Sequence, residues 1–220
     1  MTRHAFTLAG ADLIALPSGG LYWPAEATLC VSDLHLGKSG RMARRAGALL
    51  PPYEVRATLE KLDLDVEATR PARVICLGDS FDDLAAIGEL EDSARLWLAR
   101  LMAGRDWIWI EGNHDAGPVE IGGTHLREWV QAGLVFRHIA TNGAAGEVSG
   151  HYHPKTRLAG RSHPCFLLDQ DRLILPAYGH YTGGLPCEDA ALQALGHIAT
   201  PEAVRSTALQ AAALLGIEAF

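Results

Sequence analysis

Residues 74–83 read VICLGDSFDD, in which four apolar residues lead directly into a glycine and three aspartates. The uncharged run Val74–Leu77 predicts a buried strand. Asp79 stands just beyond the end of that strand. Because α/β folds build their sites at strand ends, this stretch predicts a functional site at the edge of such a sheet.

The same arrangement of a short apolar run and a motif rich in Asp, His and Asn occurs three more times. The pairs are Leu29–Val31 with Asp33-Leu34-His35, Trp107–Ile110 with Gly112-Asn113-His114-Asp115 and, more weakly because only Val148 is apolar, Glu147–Ser149 with Gly150-His151-Tyr152-His153-Pro154. Such side chains are hard or borderline metal ligands. Four matches in this order exceed chance, so we infer a metal site.

The composition is that of an ordinary globular protein, with 220 residues, 48% hydrophobic and 20% charged. No apolar stretch is long enough for a membrane span, and the N-terminus lacks a secretory signal pattern. The four cysteines show no CxxC spacing, which argues against a disulfide or zinc framework. We therefore expect a cytoplasmic protein that does not act in a membrane.

Strand and helix patterns alternate along the chain, which indicates one α/β domain over residues 1–220 with a core at about 25–185. Further elements follow from periodicity: helices at 53–64, 93–102 and about 200–215, a strand at 134–139, and a hairpin at 165–175 that turns at Asp169-Gln170-Asp171.

The net charge of −7 disfavours binding of nucleic acid by bulk electrostatics. A local cluster of cations follows the first motif: Lys38, Arg41, Arg44 and Arg45. It has two interpretations, a solvated helix face or a phosphate-facing patch beside the metal site.

The ligand types indicate the chemistry. The carboxylate of Asp79 has two oxygens and can bridge two cations about 3.5–4 Å apart. A set of Asp, Asn and His ligands without thiolate suits Mn²⁺, Fe or Zn²⁺ better than Ca²⁺. Two adjacent cations activate water and neutralise charge in an in-line displacement, so phosphate ester hydrolysis is the natural interpretation.

The motif series D-x-H, G-D-x-x-D, G-N-H-D, a lone His and G-H-x-H resembles the calcineurin-like metallophosphoesterases, over about residues 28–154. The resemblance implies a single-domain, four-layer α/β/β/α sandwich with two divalent metal ions, Mn²⁺ being expected ahead of Fe or Zn²⁺. It implies a first metal held by Asp33, His35, Asp79 and His153, and a second held by Asp79, Asn113, His151 and the lone histidine.

Two residues are candidates for the lone histidine, His125 and His138. We favour His138, which follows the apolar run Leu134–Phe136 at a distance from His151 similar to the family's usual arrangement. His125 is expected at the surface.

The resemblance also implies roles beside the metals. His114 matches the position that contacts the substrate phosphate and protonates the leaving oxygen as a general acid. Asp115 would orient His114 or support its loop. Asp82 is expected to support the ligands rather than to bind a metal.

The flanks VSDLHLGKSG, LGDSF, SGHYHP and LILPAYGHYTGGL are similar to the bacterial ligase-associated DNA-damage-response endonucleases. That similarity implies DNA as substrate, and an ATP-dependent DNA ligase, a helicase and an exonuclease-like protein as partners. His180 lies in the Gly-rich segment Tyr178–Gly184 and is a further candidate for substrate contact.

Several functions remain open at this stage. The favoured one is a metal-dependent phosphodiesterase that acts as a DNA-repair nuclease or on a small phosphodiester. A small-molecule or nucleotide phosphatase, or a pyrophosphohydrolase, would use the same metal centre equally well. A non-catalytic scaffold is disfavoured because the full ligand set and His114 are present.

Overall fold

The computed structural model describes residues 3–47, 51, 53–117, 120–158 and 160–195. Its larger sheet has seven strands that are neighbours in chain order: β1 (His4–Leu8), β2 (Ala11–Ala15), β3 (Leu21–Trp23), β4 (Thr28–Val31), β5 (Arg73–Leu77), β6 (Asp106–Ile110) and β7 (Thr124–Leu126). The first four strands run antiparallel, and the last four run parallel to one another.

The second sheet has five strands. They are β8 (Glu128–Gln131), β9 (Leu134–Arg137), β10 (Glu147–Ser149), β13 (Leu167–Leu168) and β14 (Arg172–Ile174). The two strands between β10 and β13 in the chain, β11 (Lys155–Leu158) and β12 (Arg161–Pro164), form a separate hairpin. The helices are α1 (Lys38–Ala46), α2 (Glu54–Thr69), α3 (Leu84–Glu89), α4 (Asp92–Met102) and α5 (Ala190–Gln193).

Alternation along the central strands separates two cores. In β6, Trp107 and Trp109 face the helix side, where they pack with residues of α2 and α4. Ile108 and Ile110 face the second sheet and pack with residues such as Phe136. Period-two alternation produces this division because successive side chains of a strand point to opposite faces.

The outer face of the second sheet carries a thinner layer. Leu167 and Ile174 pack there with Leu192 of α5. The order of layers is therefore helix, sheet, sheet, helix, which confirms the four-layer α/β/β/α sandwich.

Most elements expected from the sequence are present. The runs before the four motifs are strands β4, β5, β6 and β10, and the hairpin over 165–175 is β13 and β14. The helix expected at 53–64 continues to Thr69 because Val66 extends its buried face, and it ends where Arg70 turns left-handed at φ 45°. Strands β1 to β3 were not expected. The helix expected at about 200–215 lies outside the described residues.

None of the helices in the ranges given above is long and apolar enough to cross a membrane.

The topology brings the motifs together. The carboxyl ends of the parallel strands β4, β5 and β6 lie at one edge of the first sheet, and those of β9 and β10, also parallel, lie at the matching edge of the second. Every motif that the sequence analysis singled out follows one of these strands directly. The site is thus built where the two sheets end together.

Candidate metal centre

The backbone at the motifs is unusual. Ten non-glycine residues of the described chain have positive φ, and half of them are expected metal ligands: Asp33, His35, Asp79, His151 and His153. Each such conformation costs on the order of 1–3 kcal/mol of folding free energy and persists only where the surrounding structure holds it. The loops hold one another, since the amides of Asp33 and His35 donate to the carbonyls of Gly78 and Asp79.

The motif glycines permit this close packing. A Cβ atom on Gly112 would lie 2.1 Å from the backbone nitrogen of Asp79, and one on Gly150 would lie 1.7 Å from Ser32 Oγ. Neither contact is sterically possible, so glycine is required at both positions for the loops to meet.

A first group of ligand atoms comes from Asp33, His35 and His153, which all lie within 4.8 Å of one another. His153 Nε2 and Asp33 Oδ1 are 2.9 Å apart, yet neither atom has a hydrogen-bond partner. His35 Nε2 also has no hydrogen-bond partner, whereas His35 Nδ1 lies 2.9 Å from the carboxylate of Asp82. Buried polar atoms without partners are costly, so atoms that converge in this way fit a shared cation.

A second group comes from Asp79, His138 and His151. His138 Nδ1 lies 2.8 Å from the carbonyl oxygen of Leu77 and must donate to it, which leaves a lone pair on Nε2. That Nε2 atom faces three more ligand atoms: Asn113 Oδ1 at 3.0 Å, His151 Nδ1 at 3.2 Å and Asp79 Oδ2 at 3.4 Å. The donor set fits a divalent cation.

The structure brings His138 and not His125 into this group. His138 is buried and follows β9 directly. His125 lies in β7, where its ring stacks on Trp109 with the ring centroids 6.3 Å apart. The preference for His138 thus agrees with the geometry, and His125, which was expected at the surface, is a half-buried strand residue.

The electrostatics of the second group favour positive charge. Burial lowers the pKa of His138, but the adjacent Asp79 carboxylate and the charge of Asp33 outweigh it and raise the pKa to about 9. Burial and the neighbouring His138 lower the pKa of His151. Without a metal, a proton on His138 Nε2 therefore occupies the position that a cation would take.

This proton predicts how metal affinity depends on pH. Below about pH 9 a divalent ion must displace the proton from His138, so affinity should rise with pH up to that value and level off above it. At pH 7.5 we expect about one proton released per ion bound at this group. Calorimetric titration with Mn²⁺ in two buffers of different ionisation enthalpy measures that number, and identical heats in both buffers would contradict it.

His114 lies beside both groups, and a ligand atom of its ring lies within 4.8 Å of ligand atoms from His35 and Asp82. Its Nδ1 atom lies 2.8 Å from the carbonyl oxygen of Asp82, and its Nε2 atom lies 4.0 Å from Asp79 Oδ2. The side chain is 28% exposed, so the Nε2 edge is accessible from solvent. This placement suits a group that donates a proton to a bound substrate.

Asp115 has a supporting position. Its carboxylate accepts hydrogen bonds from the amides of Asp79, Ser80, Phe81 and Gly112 at 2.7–3.1 Å. These bonds join the second motif to the third. The His114 ring lies against the carbonyl of Asp82, so of the two roles open to Asp115 its contacts are those of loop support.

Asp82 holds His35 in place. Its Oδ1 atom lies 2.9 Å from His35 Nδ1, and its other oxygen pairs with Arg41. Lys38 Nζ lies 3.8 Å from the same carboxylate. Burial raises the pKa of Asp82, but His35 and Arg41 more than compensate and keep it below its usual value.

We predict that Asp82→Asn weakens metal binding at the first group, because the amide cannot supply the charge that orients His35. Loss of such a supporting carboxylate typically costs about 10–100-fold in metal affinity. Competition with a chelating dye measures the change. Native affinity in the variant would show that Asp82 serves only to neutralise Arg41 and Lys38.

Three cations of the α1 cluster lie close to acidic side chains of the protein. Lys38 and Arg41 face Asp82, and Arg44 pairs with Asp83 and Glu89. The side chain of Arg45 lies outside the described residues. Lys38, Arg41 and Arg44 thus already have acidic partners in the protein, Lys38 and Arg41 next to a carboxylate that faces His35, and a role for the cluster in phosphate binding stays a prediction.

His180 is not part of either ligand group. It is exposed, and its Nδ1 atom lies 3.3 Å from Thr58 Oγ1 on α2.

The segment around His180 has a different function that sequence reasoning missed. The amides of Tyr178 and Gly179 donate to the carbonyls of Ser32 and Asp33 and fix the first motif; the Gly-rich composition was the available signal.

Comparison with known proteins agrees with this site. The sequence model of the calcineurin-like phosphoesterases matches residues 27–199. The chain belongs to the calcineurin-like phosphoesterase family. Among curated proteins, no relative matches it. The structure is similar to the crystal structure of Pseudomonas putida nuclease MPE, with a TM-score of 0.70 and 29% sequence identity over 86% of this chain and 93% of that chain.

Family membership establishes the general reaction. The calcineurin-like phosphoesterase described here is a metal-dependent hydrolase of phosphoric esters. Divalent metal ions fit its two converging ligand groups, of which the first, Asp33-His35-His153, has buried ligand atoms without hydrogen-bond partners.

Proposed function

We propose that this phosphoesterase is a nuclease that cleaves phosphodiester bonds of DNA with a binuclear metal centre. The observation that carries the proposal is the pair of ligand groups at the joined sheet edges, Asp33-His35-His153 and Asp79-His138-His151. Support for a nuclease comes from the similarity to a nuclease at 29% identity over 86% of this chain and 93% of that chain, and DNA as the substrate rests on the sequence resemblance. Mn²⁺ is the proposed ion, and Fe or Zn²⁺ would suit the same donors.

Asp33, His35, Asp79 and His153 would hold the first ion, and Asp79, Asn113, His138 and His151 the second. Two adjacent ions of this kind supply an activated water and neutralise charge on the phosphate. Asp79 Oδ2 faces His138 in the second group, and Oδ1 accepts from the amide of His114 at 2.8 Å. The shared position of Asp79 rests on the family resemblance and on the two oxygens of its carboxylate.

The chain's own residues complete the chemistry. His114 donates through Nδ1 to the Asp82 carbonyl, which aims Nε2 at the centre. A proton on Nε2 can pass to the oxygen that leaves the phosphate, so that the departing group is neutral. Asp115 keeps the loops that carry Asp79 and His114 at a fixed separation.

An activity panel tests the proposal. The Mn²⁺-loaded protein should hydrolyse bis-p-nitrophenyl phosphate and single- or double-stranded DNA faster than p-nitrophenyl phosphate or nucleotides. Preference for monoesters would favour the second candidate function, a phosphatase or pyrophosphohydrolase with the same centre. No turnover of any ester by protein with full metal content would favour the scaffold.

A role in DNA repair, with an ATP-dependent DNA ligase, a helicase and an exonuclease-like protein as partners, is part of the proposal and rests on sequence resemblance alone. Co-purification of the tagged protein with each candidate partner is the corresponding test.

A further inference from the structure

The hairpin of β11 and β12, next to the metal site, carries positive charge that no acidic residue of the same stretch neutralises. Residues 154–168 include Lys155, Arg157 and Arg161 but none of the chain's 26 Asp and Glu residues. The chain as a whole has a net charge of −7, so this stretch is a local exception. We call Lys155–Leu158 with Arg161–Pro164 the basic hairpin.

The arginines of the basic hairpin have no internal partners. Arg157 and Arg161 are exposed, and neither forms an ion pair or hydrogen bond with another side chain in the described part of the protein. Most other arginines are paired with carboxylates, among them Arg41, Arg44, Arg56, Arg73, Arg100, Arg127, Arg137 and Arg172. Guanidinium groups without a carboxylate partner remain available for phosphate.

The base of the basic hairpin is fixed beside a metal ligand. Pro154 and Lys155 directly follow His153, and their carbonyls accept from the amides of Cys165 and Cys187 at 3.0 Å. The amide of Lys155 donates to Leu185 at 2.8 Å. The position of the hairpin relative to the first ligand group is therefore set by backbone hydrogen bonds on both sides.

The distance from the metal ligand His153 to Arg157 corresponds to a few nucleotides of DNA. Arg157 lies four residues after His153, and an extended chain advances about 3.3 Å per residue, so Arg157 stands up to about 13 Å along from the ligand. One DNA strand advances about 3.4 Å per nucleotide. A strand whose phosphate lies at the metal site would thus pass the hairpin within about four nucleotides.

The pairing register of β11 and β12 places the two arginines on different faces of the basic hairpin. Arg157 pairs with Ser162, and Arg161 pairs with Leu158, which is the next position along β11. Successive positions of a strand face opposite ways, so the two arginines leave opposite faces. A long anionic chain can contact both faces, whereas a small ester at the metals contacts neither.

We propose that the basic hairpin holds the phosphate backbone of DNA beside the metal site; this inference rests on the proposed nuclease function. It replaces the α1 cluster as the phosphate-binding surface, because Arg41 and Arg44 already pair with carboxylates of the protein.

The test compares two double variants with the same change in net charge. Arg157→Ala with Arg161→Ala removes the proposed contacts. Arg56→Ala with Arg100→Ala is the matched control, since these side chains are 78% and 62% exposed on α2 and α4 and pair with carboxylates. Fluorescence anisotropy with a labelled DNA duplex at several salt concentrations gives affinity and salt slope, and bis-p-nitrophenyl phosphate turnover shows whether the metal site is intact.

We expect the hairpin variant to bind DNA about tenfold or more weakly at low salt, with a salt slope smaller by nearly two units, about 0.9 for each lost phosphate contact. Turnover of the small diester should stay native in both variants, and the control should bind DNA as the native protein does.

Different failures identify different errors. If the native protein cleaves DNA but the hairpin variant binds with native affinity and slope, the hairpin proposal is overturned and the nuclease function stands. Equal weakening in both double variants would also overturn it, since only net charge would matter. If the native protein neither binds nor cleaves DNA while it hydrolyses the small diester, the proposed nuclease function itself fails.

Discussion

Asp79→Asn should give a protein that folds but retains at most one weakly held metal ion and has almost no phosphodiesterase activity. Each oxygen of the Asp79 carboxylate has its own contact, Oδ1 with the amide of His114 at 2.8 Å and Oδ2 with His138 Nε2 at 3.4 Å. An amide keeps only one oxygen and no charge, so one of these positions must be lost. The expected activity loss exceeds the roughly 10–100-fold that removal of a supporting residue causes.

Elemental analysis after Mn²⁺ loading and turnover of bis-p-nitrophenyl phosphate are the two measurements. Asp83→Asn is the matched control, because Asp83 belongs to the same motif but caps α3 through the amide of Ala86. Asparagine caps helices about as well as aspartate, so this variant should keep its metals and its activity. Two firmly held ions per chain in Asp79→Asn would rule out the shared position of Asp79.

The sequence was sufficient to predict which residues meet at the site, because strand-end placement determines them. Asp33, Asp79 and Asn113 each follow an apolar run that proved to be a parallel strand of one sheet. His138 could also be selected, since a strand precedes it directly. Parallel strands bring their carboxyl ends to one edge whatever the intervening helices do, so these contacts need no knowledge of loop conformation.

Residues whose role depends on distant partners could not be predicted in the same way. Arg41 and Asp82 are separated by 41 positions, and nothing local to α1 shows that its cations pair inward. Asp115 likewise owes its role to backbone amides 34–36 positions away. Side-chain orientation toward a remote loop is a property of the folded chain.

The unexpected strands β1 to β3 have a different cause. In β2, Ala11, Leu13 and Ala15 are buried and Asp12 is exposed, which is the alternation of a half-buried strand. The apolar Ile14 interrupts that alternation in the sequence, and five residues are too few for the pattern to be recognised. The strands form because Leu13 and its neighbours pack between the two sheets.

His114→Ala should keep both metal ions and lose activity in proportion to the difficulty of the leaving group. The histidine belongs to neither of the two ligand groups, although its ring lies against that of His35, and its Nε2 atom lies 4.0 Å from Asp79; we therefore expect the ligands to stay in place without it. For DNA and alkyl diesters, whose leaving oxygens are strongly basic, we expect a loss of about 10²–10⁴-fold. For nitrophenyl esters the loss should be small, because a nitrophenolate departs without a proton.

Two measurements on the native and variant proteins decide the role of His114. They are the steady-state turnover of a p-nitrophenyl diester and of DNA, and the metal content. His4→Ala in β1 is a control for removal of a histidine far along the chain from every motif. If leaving-group basicity governs the loss, His114 acts as the proton donor, since only a proton transfer distinguishes the two esters. An equal loss on both esters with full metal content would instead mean that His114 positions the phosphate, and the acid would have to be sought elsewhere at the site.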